Sequence, residues 1–142
     1  VLLLARVPRA RPPRPHATAA SRSLGAPRAA LRGGDNGPAL VPGKAVFVRD
    51  GKTVELLAID EGPGEPLFFV IADATSGQET YAAARFVYAD APKDGVVVLD
   101  FNRAENPPCA FTPFATCPLP PKENRLPLAV TAGEKTYRGS HD

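Results

Sequence analysis

Every apolar run after residue 40 is short and ends at residues that favour turns, and this spacing strongly constrains the fold. Lys44 to Arg49 alternates apolar and polar residues, and Thr53 to Ile59 is again apolar and β-branched. Asp50 and Gly51 separate the two runs. Two short runs joined by Asp-Gly are a strong local signal for a β-hairpin, because both turn residues readily adopt a positive φ. The sequence therefore predicts a hairpin here.

Further short runs follow along the chain, and none of them has helical periodicity for three turns. Thr80 to Phe86 is the only helical candidate and it is brief. The pattern predicts a mainly β fold, either a small antiparallel sandwich or a half-barrel. The remaining predicted strands are Leu67 to Ala72, buried on both faces, Arg85 to Ala89, Val96 to Phe101 and Leu126 to Ala132, with turns at Pro92 to Gly95 and Gly133 to Tyr137.

Residues 1 to 40 differ sharply from the rest in composition. They hold seven arginines, six prolines, one acidic residue and no aromatic residue, so they have little to bury. We expect a disordered leader over 1–40, a β-rich domain over 41–138 and a tail over 139–142. The leader is interpreted as a linker or mis-started translation in preference to a targeting segment, since no amphipathic helix pattern is present.

The remaining residues carry ten basic and 14 acidic side chains with the signs interspersed. This balance argues against a nucleic-acid surface, which needs a basic stripe along the phosphates. No run approaches the roughly 18 apolar residues that span a bilayer, so we expect no membrane span. We expect a cytoplasmic location, with a truncated export or targeting signal as the alternative. A domain of about 100 residues buries only some 65% of its unfolded surface, so self-association or a missing N-terminal half is expected to complete it.

A long segment from Asn102 to Arg125 carries six prolines and both cysteines. Loops of this length without periodic structure are uncommon in compact domains and are often functional. Asp100, Asn102, Arg103 and Asn106 begin where a predicted strand ends. They form either a pocket in which Arg103 grips a carboxylate or phosphate, or a set of hydrogen bonds to the proline-rich backbone.

Three more cationic or amide side chains are candidates for the same pocket. Asn124 and Arg125 end the loop, with Glu123 either neutralising Arg125 or serving as an acid or base. Arg85 alternates onto a polar face and is either a further cationic contact or a solvated surface residue. Lys135 is expected to be an exposed turn lysine. The predicted ligand-binding residues are Arg85, Asn102, Arg103, Asn106, Asn124 and Arg125.

Cys109 and Cys117 allow three interpretations, namely a disulfide or pair of free thiols, a nucleophile, or two metal ligands. A structural zinc site needs four ligands and a nucleophile needs a nearby base, yet the only histidines are His16 and His141. We therefore favour the disulfide or paired thiols, and we expect no metal and no cofactor.

Asp73 follows the predicted core strand and precedes Thr75. Its simplest interpretation is a turn in which both side chains bond their own backbone. If Asp73 instead lies beside Asp100, the two carboxylates are able to act as acid and base. Asp73, Asp100 and Cys109 are thus the candidate catalytic residues of a hydrolase.

Four separated strings resemble the C-terminal signature of the domain of unknown function 1684 family. They are Asp73 to Tyr81, Asp100 to Phe111, Cys117 to Pro127 and Ala132 to Lys135, in the family's order and spacing. Members are typically about twice this length, with an N-terminal half in place of the arginine-rich leader. The resemblance implies a shared architecture and no particular reaction.

Three hypotheses follow for function. The first is a domain that binds a small polar or anionic molecule at the loop 102–125. The second is a hydrolase, and the third is a purely structural module in which prolines and amides hold the loop.

Overall fold

The computed structural model describes residues 2–6, 43–59, 61–62 and 64–139. This part of the chain contains six β-strands, three short 3-10 helices and no α-helix, so the predicted mainly β fold is confirmed. The strands are β1 Leu2–Arg6, β2 Lys44–Arg49, β3 Lys52–Leu57, β4 Leu67–Ile71, β5 Arg85–Ala89 and β6 Val96–Asp100. The 3-10 helices are Phe101–Arg103, Pro108–Ala110 and Lys122–Asn124.

Two tight turns shape the fold as the sequence predicted. Between β2 and β3, Asp50 has a φ of 51° and Gly51 a φ of 72°. Before β6, Asp94 and Gly95 repeat the pattern with φ of 51° and 77°. Two successive residues with positive φ match the right-handed twist of the flanking strands, and Asp-Gly is a preferred pair for this conformation. Both predicted turns are confirmed.

The strands form two antiparallel sheets, ordered β3-β2-β1-β6 and β4-β5. The sheets are linked where the chain leaves β3, because Ile59 and Phe68 exchange backbone hydrogen bonds of 2.7 and 3.2 Å. The six strands therefore follow one another as a single curved series, with β5 and β6 at its two ends. This is an antiparallel half-barrel with an opening between its end strands.

β1 occupies the position between β2 and β6, although the sequence analysis placed its residues in a disordered leader. Leu2 to Arg6 pair in register with Asp100 to Val96, and Arg6 also pairs with Val46. The prediction was wrong for this stretch because its pairing with distant strands leaves no local signal: Ala5 is fully buried and Leu3 packs against the core, whereas Leu2 and Leu4 are exposed. Residues 7–40 of the predicted leader and residues 140–142 of the predicted tail lie outside the described residues.

The hydrophobic core lies between the four-stranded sheet and the inner face of β4 and β5. Phe47, Leu56, Phe69, Leu99 and Phe101 are among its buried members. A second, smaller cluster covers the opposite face of β4 and β5, with Cys117 of the long loop packed against it. β4 is therefore buried on both faces, as its continuous apolar run predicted.

The predicted strand from Leu126 to Ala132 does not form. Leu126 donates its N–H to the carbonyl of Ala72, but only one parallel bridge, between Ala72 and Arg125, accompanies it. Pro127 has no N–H and so cannot continue a ladder. Leu126 and Val130 are nonetheless buried, so the apolar pattern identified burial correctly and secondary structure wrongly. The predicted edge within Gly133 to Tyr137 also lacks strand structure.

Gly133 is closely surrounded by backbone atoms. Its φ is +83°, and an added Cβ would lie 2.7 Å from the carbonyl oxygen of Ala104 and 2.8 Å from that of Phe101. Gly133→Ala is expected to lower the free energy of unfolding by about 2–5 kcal/mol through backbone strain and overpacking. Gly64→Ala is the matched control, since Gly64 has a φ of +85° with open space around it. Urea denaturation of both variants separates strain from crowding, and equal losses would contradict the crowding argument.

No helix in the part of the chain that the structure describes is long and apolar enough to cross a membrane.

Candidate functional site

Asn124 at the end of the long loop is fully buried and joins two strands. Its Oδ1 accepts the N–H of Leu57 at 2.7 Å, and its Nδ2 donates to the carbonyls of Leu57 and Val70, each at 2.9 Å. The side chain thus satisfies backbone groups of β3 and β4 that face one another. Its amide is fully used within the fold, so Asn124 does not face a ligand pocket.

Asn106 fastens the loop to the C-terminal segment. Its backbone N–H donates to Oε2 of Glu134 at 2.6 Å, and its Nδ2 donates to the carbonyl of Lys135 at 2.8 Å. Lys135 itself is exposed and donates to Glu79 Oε2 and to the carbonyl of Thr131. Asn106 therefore holds two segments of chain together, which is the structural alternative that the sequence analysis left open.

Arg85 is buried, with only 1% of its side chain exposed, so the prediction of a polar surface face was wrong. Its Nη2 donates to Asp73 Oδ2 and to the carbonyl of Val130, both at 2.8 Å, and its Nη1 donates to the carbonyl of Ala132 at 2.6 Å. Arg85 shares its strand face with Val87 and Ala89, and that face points into the core. The guanidinium of Arg85 therefore binds carbonyls of the irregular C-terminal segment, whereas the sequence predicted that it would be solvated by water.

Asp73 is held by the same network and forms the predicted turn with Thr75. Its Oδ1 accepts the N–H of Thr75 at 2.8 Å, the hydroxyl of Thr75 at 2.6 Å and the N–H of Val130 at 3.2 Å. Burial opposes ionisation, but the hydrogen bonds from Thr75, Arg85 and Val130 together outweigh it and lower the pKa of Asp73. Asp73 is thus a charged partner of Arg85 with no vacant oxygen for proton transfer.

A cavity of about 440 Å³ lies between the end strands β5 and β6. We call it the β5–β6 cleft. Arg103 lines it, one turn after β6 ends. The lining residues are Leu2, Pro66, Tyr88, Ala89, Asp90, Ala91, Lys93, Val96, Val98, Asp100 and Arg103.

Two cations and two carboxylates share the β5–β6 cleft, namely Lys93, Arg103, Asp90 and Asp100. Oδ1 of Asp100 accepts both the backbone N–H and the Nδ2 of Asn102, at 3.1 and 2.7 Å, which caps the following 3-10 helix. Within the described residues Arg103 makes no ion pair. The guanidinium is therefore available to an anionic group that enters the cleft.

Only Arg103 of the six predicted ligand-binding residues lines the β5–β6 cleft. Asn106, Asn124 and Arg85 are buried in the fold, and the side chains of Asn102 and Arg125 are exposed and lie outside the lining set. Of the three predicted catalytic residues only Asp100 lines it. The structure therefore places Asp100 and Arg103 at the β5–β6 cleft and the other five predicted ligand-binding residues elsewhere.

Lys93, Tyr88 and Leu2 line the cleft but were not predicted from the sequence. Lys93 lies in a turn that was correctly predicted, and a turn between two strands brings its side chain close to both. The predicted turn therefore indicated that the side chain of Lys93 lies close to the neighbouring ends of β5 and β6. Leu2 had no such signal, since nothing local shows that it pairs with Asp100.

Cys109 and Cys117 are free thiols that lie side by side, which is one of the forms predicted for them. The backbone N–H of Cys109 donates to Sγ of Cys117 at 3.3 Å, and the hydroxyl of Tyr81 donates to the carbonyl of Cys109 at 3.2 Å. Burial, followed by the hydrogen bond with Cys117, raises the pKa of the Cys109 thiol. Neither cysteine lines the β5–β6 cleft.

In the ranges that the structure covers, no three His, Cys, Asp or Glu side chains come together to hold a metal ion.

Comparison with known proteins agrees with the resemblance seen in the motifs. Residues 18–135 match the model of the family described as Protein of unknown function (DUF1684), so the chain belongs to that family. The match begins inside the predicted leader.

A solved relative is an uncharacterized protein of Haloarcula marismortui, whose structure was determined by NMR in solution. It is 38% identical, with a TM-score of 0.58, and the match covers 66% of this chain and 54% of the relative. The chain thus spans about half the length of that protein. No curated protein matches the chain.

Proposed function

We propose that this domain binds a small molecule with an anionic group in the β5–β6 cleft, with Arg103 as its main contact. The observation that carries the proposal is the guanidinium of Arg103, which lines the cleft and makes no ion pair with the described residues. Arginine presents a planar fork of donors that matches a carboxylate or phosphate. Asp90 and Asp100 also line the cleft, but neither forms an ion pair with Arg103, so the guanidinium favours an anion from solution.

The remaining lining supports a ligand of mixed character. Val96 and Val98 supply apolar surface, and Tyr88 adds a half-exposed aromatic ring that stacks on Phe68 at 5.0 Å. Lys93 adds a second cation to the cleft. The volume lies within the range of about 300–1,000 Å³ that is typical of small-molecule sites. We infer a compact ligand with one anionic end and an apolar or ring-shaped body.

The hydrolase hypothesis receives no comparable support. Asp73 is hydrogen-bonded to Arg85 in the core, whereas Asp100 lines the β5–β6 cleft and accepts a hydrogen bond from Asn102. A raised pKa keeps the Cys109 thiol protonated, which weakens it as a nucleophile. We therefore propose binding and no reaction.

Arg103→Ala is expected to weaken binding of small anions by about 10–100-fold, because a charge-assisted hydrogen bond contributes about 1.5–3 kcal/mol. The measurement is NMR titration of the isotope-labelled chain with inorganic phosphate and, separately, with succinate. Backbone signals of Tyr88, Lys93, Val98 and Arg103 are expected to shift in the parent protein. The variant is expected to keep the parent's melting temperature, since Arg103 is exposed.

Arg125→Ala is the matched control, because Arg125 is an exposed arginine of the same loop and lies outside the cleft lining. It is expected to bind both anions as the parent does. The proposal is wrong if neither anion shifts the cleft signals, or if the two arginine variants bind equally well.

A further inference from the structure

The two thiols form a second chemical site, separate from the β5–β6 cleft. They lie at the two ends of the segment 109–117, which the N–H of Cys109 closes by donating to Sγ of Cys117. The backbone nitrogen and the side chain of Cys109 are attached to the same Cα. The hydrogen bond from this nitrogen to Cys117 therefore places the two cysteine side chains next to each other. Both residues are half-buried, and solvent reaches each of them.

The surroundings of the two cysteines hold the ends of this segment in place. The hydroxyl of Tyr81 binds the carbonyl of Cys109 at 3.2 Å, and Cys117 packs against the second hydrophobic cluster. The middle of the segment is exposed, since Phe114 has 95% of its surface in solvent and Phe111 has 45%. The two thiols are thus held together at the two ends of a segment whose middle is exposed.

We propose that Cys109 and Cys117 are a reversible redox site that reacts with low-molecular-weight disulfides. The N–H of Cys109 donates to Sγ of Cys117 at 3.3 Å, which places the two thiols next to each other for exchange between them. The thiolate is the form that attacks disulfides, and the raised pKa of Cys109 makes that residue the poorer attacker, so we assign Cys117 as the attacking sulfur. Cys109 is the resolving sulfur, consistent with its raised pKa, which burial and contact with Cys117 cause.

The reaction balances in two exchanges. The Cys117 thiol loses its proton, and its sulfur attacks one sulfur of the small disulfide, which forms a mixed disulfide and releases one small thiol. The Cys109 thiol then loses its proton and attacks the Cys117 sulfur, which forms the Cys109–Cys117 bond and releases the second small thiol. The protein loses two electrons and two protons, and the small disulfide gains them.

The test uses the full chain, first reduced and then incubated with excess oxidised glutathione. Intact mass spectrometry is expected to show a product lighter than the reduced chain by two hydrogen atoms. Limited chymotrypsin digestion after Phe111 or Phe114 then gives fragments that stay joined until a reductant is added, because both sites lie between the two cysteines. The reduced chain gives fragments that separate at once.

Single variants assign the two roles. Cys109→Ser is expected to stop at a stable mixed disulfide with glutathione on Cys117, because the resolving thiol is absent. Cys117→Ser is expected to react with oxidised glutathione at least about 10-fold more slowly than Cys109→Ser, since the attacking sulfur is absent. Equal rates in the two variants would overturn the assignment of Cys117.

The experiment on the parent chain alone decides whether the two cysteines form a redox site, so the test does not depend on how well the variants fold. If the parent stays reduced in excess oxidised glutathione, ends as mixed disulfides on the separate cysteines, or forms disulfides only between chains, the redox site does not exist. Each of these outcomes leaves the anion-binding proposal intact, because neither cysteine lines the β5–β6 cleft.

Discussion

Asp73→Ala is expected to lower the free energy of unfolding by about 3–5 kcal/mol, because it leaves the charge of Arg85 buried without a counter-charge. The two side chains are 0% and 1% exposed, and their atoms lie 2.8 Å apart. The substitution also removes the acceptor of three hydrogen bonds from Thr75 and Val130. Urea denaturation followed by circular dichroism measures the loss.

Glu55→Ala is the control for Asp73→Ala. Glu55 pairs with Lys44 at a comparable 2.7 Å, but these side chains are 43% and 44% exposed. Exposed pairs contribute about 0–1 kcal/mol, since water screens them and their flexible side chains must be ordered. A loss at Asp73 no larger than that at Glu55 would mean that burial does not set the strength of the Asp73–Arg85 pair.

The lowered pKa of Asp73 also gives the pair a pH dependence of known sign. A carboxyl group whose pKa is lower in the folded than in the unfolded chain stabilises the fold fully above its unfolded pKa. This stabilisation is lost as the pH falls through the folded pKa. The parent is therefore expected to lose more stability than Asp73→Ala between neutral pH and the acid range below the ordinary aspartate pKa. Parallel losses in the two proteins would contradict this.

Asn124→Ala is expected to cost about 3 kcal/mol or more, because it leaves buried backbone groups of Leu57 and Val70 without partners. Each such group costs about 1–3 kcal/mol when its partner is removed. Three hydrogen bonds of 2.7 to 2.9 Å are lost at once. Thermal and urea unfolding of the variant measure the effect.

Asn102→Ala is the control, since Asn102 lies on the same loop with its side chain exposed. Its loss is expected to be about 1 kcal/mol or less. Asn124→Asp tests the donors specifically: a carboxylate still accepts the N–H of Leu57 but donates nothing to the two carbonyls. If Asn124→Asp were as stable as the parent, the donated hydrogen bonds would contribute nothing.

Local signals predicted much of the fold. Asp50-Gly51 and Asp94-Gly95 correctly predicted two turns, because few residue pairs accept two positive φ values in succession. The continuous apolar run of β4 predicted burial on both faces, and the structure provides a hydrophobic cluster on each. The segment from Leu126 to Ala132 misled because it has the apolar spacing of a strand, whereas Pro127 removes a donor that a strand needs.

The candidate site was less predictable, because its residues come together through contacts distant in sequence. Arg103 was identified from its place after β6, which is a local argument. Asn106, Asn124 and Arg85 also have polar side chains of the kind that bind ligands, but they serve the fold, and only their contacts with Glu134, Leu57 and Asp73 show this. A polar side chain in a loop does not reveal by its type whether it faces a ligand or a carbonyl.

β1 and β6 are the first and last described strands along the chain, yet Leu2 is paired with Asp100. The β2–β3 hairpin needs only local contacts, whereas pairing β1 with β6 closes a loop that contains the other four described strands. Closing so long a loop costs entropy before its contacts form, so we expect this pairing to come late in folding. Because Leu2 lines the β5–β6 cleft, a molecule that has not yet made this pairing has its local strands but lacks part of the lining of the proposed binding site.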